Sequence, residues 1–185
     1  MIPYHPLKKQ ENVRLCYPYN SVWGDITQIV LDIVERFNVP RKIALEFGVE
    51  YGYSTSALAN HFESVIGVDT FMGDSHSGYK LESHYDKTLL NLKDFPNIKL
   101  VQSLYQDYIK DNDNFYDLIH VDISHDYEHT FACGDWSLEH SFITIFHDTI
   151  SFEMVRLVVK DLAEKHNREF YNYEHWHGLG ILVRK

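Results

Sequence analysis

Five short apolar runs, spaced along the chain between polar and helical stretches, constrain the fold more than any other feature. They are KIALEF (42–47), SVIGVD (64–69), IKLVQ (98–102), YDLIHVD (116–122) and FITIFHD (142–148). Each has strand length and is rich in β-branched or aromatic residues, the pattern of strands covered on both faces. Helical spacing occupies about 53–62, 126–140 and 151–166, with Phe152, Val155, Val159, Leu162 and Ala163 along one side of the last. Parallel strands need crossover connections, so this alternation predicts an open α/β sheet with helices on both faces. Ahead of it, Ile26, Ile29, Val30, Ile33, Val34 and Phe37 recur at spacings of three and four, and Pro40 follows where that helix must have ended.

Two further runs, REFYNYE (168–174) and LGILVRK (179–185), are separated by HWHG with its glycine at 178 and read as a hairpin. The expectation is a seven-stranded, Rossmann-like, mostly parallel sheet ending in a C-terminal antiparallel hairpin. No repeat or flexible linker divides the chain, so residues 1–20 are expected to form an irregular arm and 21–185 one domain. The short span SLYQDYIKDNDN leaves room for little more than two helical turns between the third and fourth strands.

Charge narrows the partners. With 17 basic and 27 acidic residues the chain carries a net −10, which repels a phosphate backbone and argues against a nucleic-acid substrate. No apolar run approaches the roughly 20 residues that span a bilayer, so no membrane partner is expected. The opening residues MIPYHPLKKQENVR lack the apolar core of an export signal, and a cytoplasmic location is expected. The cysteines, Cys16 and Cys133, lie far apart and form neither a disulfide framework nor a zinc cluster. Twelve histidines, several beside acids or aromatics, raise the prospect of metal binding or proton transfer.

In an open α/β sheet ligands bind at the carboxyl ends of the strands. The first strand ends in EFGVEYGYST (46–55), where Gly48 and Gly52 bracket a turn into a helix and let backbone approach a ligand. The second ends at Asp69, whose carboxylate suits the two hydroxyls of an adenosine ribose. A dinucleotide site would show GxGxxG. Here the turn reads ExGxxxG, and the acid just before the first glycine disfavours phosphate but suits the ammonium and sulfonium of S-adenosylmethionine. The plainer alternative is a tight strand-to-helix turn with Asp69 as a solvated strand end.

The same EFGVEYGYST resembles motif I of class I S-adenosylmethionine-dependent methyltransferases. VDTFMGDSHSGY, LIHVDISHDYEHT, FHDT and WHGLGIL resemble successive blocks of a methyltransferase-domain family related to macrocin- and rhamnosyl-type O-methyltransferases, in order from about 41 to 183. The resemblance implies cofactor contacts at Glu46, Gly48, Gly52, Ser54 and Asp69. It also implies O-methylation of a small-molecule or sugar hydroxyl, with N-methylation or a non-catalytic nucleoside-binding domain as alternatives.

The fourth and fifth strands end in DLIHVDISHDYEH and IFHDT, so Asp122, His125, His147 and Asp148 are expected to converge beside the cofactor turn. Asp122 and Asp148 suit a divalent ion such as Mg2+, and His125, three residues past Asp122, is placed to act as general base. Simpler roles are helix caps for Asp122 and Asp148, a loop bond for His125, and a sheet-facing or ligand role for His147. Metal-dependent relatives often carry a second acid or amide beside the later aspartate, whereas Asp148 stands between His147 and Thr149. The polar stretch 71–87, with Asp74, His76 and Tyr79, reads as a loop over the cleft. Tyr4, His5, Tyr17, Tyr19 and Trp23 either cover the acceptor pocket or pack on the body.

Overall fold

The computed structural model describes residues 1–17, 21–73 and 78–184. Among these residues eight strands form one sheet: β1 (Ile2–Pro3), β2 (Ile43–Phe47), β3 (Ser64–Asp69), β4 (Ile98–Gln102), β5 (Tyr116–Val121), β6 (Ser141–His147), β7 (Arg168–Tyr173) and β8 (Leu179–Arg184). Their order across the sheet is β1-β7-β8-β6-β5-β2-β3-β4. All neighbours pair in parallel except β8, which is antiparallel to both β6 and β7. The mostly parallel sheet and its terminal hairpin are as expected. The eighth strand is not, since the arm pairs Ile2 with Tyr171 and Pro3 with Asn172 along the free edge of β7. Two residues are too few to show any periodicity, and a proline at the outermost edge leaves no ladder bond unmade.

Among the described residues six helices connect the strands: α1 (Ile26–Arg36), α2 (Tyr53–Ala59), α3 (Tyr85–Asn91), α4 (Tyr105–Ile109), α5 (Tyr127–Glu139) and α6 (Glu153–Lys165). One core lies on the α1 and α2 side, where Ile26, Ile29, Val30 and Ile33 are fully buried against Ala44, Leu118, Ile143 and Ile181. At roughly 1.5–3 kcal/mol for each large apolar side chain removed from water, this face is the main force holding α1 down. The opposite core joins Leu45, Phe47, Ile119 and Phe146 to Val158, Val159 and Leu162 of α6, with Tyr105 and Tyr108 of α4 at its margin. A smaller cluster of Val49, Phe71, Leu92, Phe95 and Leu100 seals the β4 edge. Among the described residues no helix is long and apolar enough to cross a membrane.

The arm is fixed by Asp32, a buried acid on α1. Its carboxylate accepts from the Tyr4 hydroxyl and from the backbone N–H groups of Leu7 and Lys8, each at 3.0 Å. Tyr4 and Trp23 are each only 2% exposed, so both are part of the core.

Candidate functional site

At the end of β2 the chain turns sharply into α2. Gly48 and Gly52 both have φ of 89°, a left-handed conformation that costs glycine little and other residues more. A Cβ on Gly48 would stand 1.6 Å from the Asp122 carbonyl oxygen, so β2 and β5 meet there with no room for a side chain. At Gly52 the atoms in the way are the flexible tip of Leu92, at 2.8 Å.

Asp69 closes the turn from the side. Its Oδ2 accepts from the backbone N–H groups of Val49 and Glu50, both at 2.8 Å, and its Oδ1 from Phe71 N–H at 2.7 Å. Three of about four acceptor directions on a carboxylate are thus used in shaping the turn. Glu46 lies underneath, 0% exposed, with one oxygen taking the Thr55 hydroxyl and the other facing His120 Nδ1 at 2.9 Å. Ser54 is buried in the first turn of α2.

Next to the turn, the ends of β5 and β6 bring Asp122, His125 and Asp148 together, with one ligand-type atom from each lying within 4.8 Å of the others. His125 Nε2 is 2.7 Å from Asp148 Oδ2, and its ring stacks flat on Phe152 with centroids 3.9 Å apart. The capping roles do not hold. Asp126 itself caps α5, accepting from His129 N–H at 2.9 Å, and the N-cap of α6 is Phe152, with no side-chain cap bond. Asp148 instead sits at φ 65°, a strained conformation that turns its carboxylate toward His125.

His147 has a role that sequence reasoning left undecided between ligand and packing. It faces the α1 side of the sheet, as do Ile145 and Ile143 two and four residues before it, and Asp122 faces the same way after Leu118 and His120. Its Nδ1 is 3.3 Å from Asp122 Oδ2 and 3.5 Å from Asp148 Oδ2. Burial pushes its pKa down, but the charge and hydrogen bond of Asp122 and the hydrogen bond of Asp148 outweigh this and raise it to about 10. His147 holds the Asp122 carboxyl below its ordinary range, and His125 first and His147 second do so for Asp148, each against the effect of its own burial. The direction favours a charged His147 between two acids that would otherwise repel. Its other nitrogen, Nε2, lies 3.3 Å from the Trp176 carbonyl oxygen on the β7–β8 loop.

Trp23 forms the floor beneath this group, with its ring 4.6 Å from His120 and 5.8 Å from His147. Of the two roles open to it from sequence, covering the acceptor pocket or packing on the body, its burial is that of packing. Tyr79 is 77% exposed and Tyr17 packs beside Tyr53, whereas Asp74, His76 and Tyr19 lie outside the described residues.

Comparison with known proteins gives a consistent set of likenesses. A sequence family described as a methyltransferase domain matches residues 45–149. An uncharacterized protein of Sinorhizobium fredii, y4gI, is 30% identical over 155 residues, which is 77% of this chain but 17% of that protein. The chain thus spans about 17% of the length of the curated relative it matches. Among solved structures, an O-methyltransferase from Bacillus cereus in complex with S-adenosylhomocysteine superposes with TM-score 0.60 at 16% identity, covering 91% of this chain and 93% of that one. A methyltransferase of Podospora anserina, also bound to S-adenosylhomocysteine, gives 0.66 at 13% identity, covering 91% and 82%. At these identities the structural likeness is one of fold.

Proposed function

Because this chain belongs to the methyltransferase-domain family, we propose that it is an S-adenosylmethionine-dependent O-methyltransferase acting on a hydroxyl of a small molecule. The observation that carries this is the meeting, at the ends of four neighbouring strands β3, β2, β5 and β6, of a side-chain-free turn closed by Asp69 with the Asp122, His125 and Asp148 cluster. The net charge of −10 supports a small acceptor over a nucleic acid.

When bound, S-adenosylmethionine supplies an electrophilic methyl group on a positively charged sulfur. In this reading Asp69 accepts from the ribose with the acceptor direction its three backbone donors leave, and the Gly48 to Gly52 turn admits the amino-acid part. Ser54 and Glu46 serve the same site from below, Glu46 by holding Thr55 and hence the start of α2. His125 is the general base. Asp148 is an acceptor only, so it holds the Nε2 side of His125 and would stabilise the imidazolium formed when the ring takes the hydroxyl proton. Phe152 holds the ring in place.

Two carboxylates beside an imidazole are a donor set that fits a divalent cation such as Mg2+, and Asp122 and Asp148 are the residues that would hold it. Such an ion would polarise the acceptor oxygen and ease its deprotonation. The test is transfer of a labelled methyl group from S-adenosylmethionine to a panel of phenols, sugars and amines, with and without exhaustive chelation. Labelled ethers are the expected products. Labelled amines alone would replace the reading with N-methylation, and cofactor binding without any product would indicate a nucleoside-binding module. Undiminished activity in metal-free protein would remove the cation and leave methyl transfer standing.

A further inference from the structure

The loop joining β7 to β8 is the most strained segment of the described chain. Trp176 and His177 have φ of 51° and 70° and are followed by Gly178 at 92°, three left-handed residues in succession of which only the last is a glycine. The strain is held from several sides. His177 O accepts from Ile150 N–H at 2.8 Å and Ser151 N–H at 3.2 Å, His177 Nδ1 meets the Ser151 hydroxyl at 2.6 Å, and Trp176 O faces His147. A turn of this kind ordinarily takes glycine or asparagine, yet its outer position carries the largest side chain available, 44% exposed. The indole lies against Gly24, where even a Cβ would come within 2.8 Å of its ring. Fixed backbone, one ring face against a glycine and an open remainder describe a surface built to receive something.

Its position identifies what. Through His147 the loop is one imidazole away from Asp122 and Asp148. Ile150, 43% exposed, packs at Gly178 and lies two residues past Asp148, so with Trp176 it gives the loop an apolar rim on the side of the cluster. Asp25 already holds Lys9 and the Tyr173 hydroxyl, and His177 holds Ser151, so these two groups are not spare for the several hydroxyls of a sugar. A flat apolar ring with its hydroxyl at one edge fits both the rim and the cluster.

We propose that Trp176 is the specificity-determining platform of the acceptor site, and that it stacks on an aromatic ring whose phenolic hydroxyl is directed to the Asp122, His125 and Asp148 cluster. This rests on the methyltransferase reading. In the step it serves, the phenolic oxygen forms a bond to the methyl carbon while the carbon–sulfur bond breaks. The sulfur keeps the electron pair, and the phenolic proton goes to His125. The products are an aryl methyl ether and S-adenosylhomocysteine.

The experiment separates the two claims. S-adenosylhomocysteine is first titrated calorimetrically into wild-type protein, which tests the cofactor reading alone. Catechol and methyl glucoside are then titrated into the protein, both with and without S-adenosylhomocysteine. Trp176→Gly removes the platform while suiting the left-handed backbone, and Trp176→Phe keeps a ring. Catechol is expected to bind saturably and methyl glucoside not. Trp176→Gly should weaken catechol by roughly tenfold or more, Trp176→Phe by no more than about threefold, and neither should change affinity for S-adenosylhomocysteine. Equal catechol affinity in wild type and Trp176→Gly, absence of catechol binding under both conditions, or preference for methyl glucoside would each overturn the proposal.

Discussion

Asp69 ties the fold to the proposed cofactor site. Its carboxylate takes three backbone N–H groups of the turn, so Asp69→Ala removes the partner of the turn as well as, in the proposed reading, that of the ribose. A charge-assisted hydrogen bond contributes about 1.5–3 kcal/mol, and Asp69→Ala should weaken S-adenosylhomocysteine by roughly 10- to 150-fold in calorimetry while lowering the melting temperature. His125 should behave differently. His125→Ala is expected to reduce kcat by about 10² to 10⁴, the usual range for a general base, and to leave cofactor affinity unchanged in the same titration; undiminished kcat would move the role elsewhere. Among residues away from the site, His61 is 7% exposed, and burial followed by the nearby charge of Arg41 lowers its pKa to about 4. As pH falls below about 6.5 the unfolded chain takes up this proton before the folded chain does, so stability is full above that value and declines toward pH 4, by about 3 kcal/mol in all. Urea unfolding at a series of pH values should show the slope, and His61→Leu should flatten it. At this scale the acids and histidines at strand ends were legible from sequence, because polar groups ending apolar runs stand out. Their pairing was not. Which histidine meets which acid depends on side-chain direction, and the place of His147 between Asp122 and Asp148 follows from strand facing on β5 and β6 together.

At the scale of elements, the β2 to α2 turn and the β5 end are fitted to each other. Gly48 and Gly52 share one backbone angle but not one neighbour: backbone oxygen lies 1.6 Å from the site of a Cβ at Gly48, and a movable leucine at Gly52. Gly48→Ala should therefore disrupt folding or lower stability by several kcal/mol, on the order seen when a core is overpacked against rigid atoms, whereas Gly52→Ala should cost about 1–2 kcal/mol for the left-handed angle. Thermal melts of the pair check this, and equal losses would contradict the close approach of β2 to β5. Five parallel strands, the hairpin and the longer helices were legible because each runs for enough residues to show its period. Strand β1 has two residues and α4 has five, lengths at which periodicity carries no information. Tertiary contact alone makes them: β1 by pairing with β7, and α4 by the packing of Tyr105 and Tyr108.

For the whole molecule, strand order decides everything about function and is the one property no local pattern encodes. The order β6-β5-β2-β3 sets the candidate base and acids on one side of the glycine turn and Asp69 on the other, so that two ligands can meet across β2. Sequence reached the meeting of these strand ends through the open α/β reading and anticipated the hairpin and its HWHG loop, while the added edge strand β1 came from the structure. The central claim is that this sheet presents an S-adenosylmethionine site. Calorimetric titration with S-adenosylhomocysteine, run beside NAD, tests it most directly. Saturable binding at one site per chain, micromolar or tighter at about −8 kcal/mol and lost in Asp69→Ala, is the predicted result. No heat of binding in the millimolar range, or tighter binding of NAD, would contradict it.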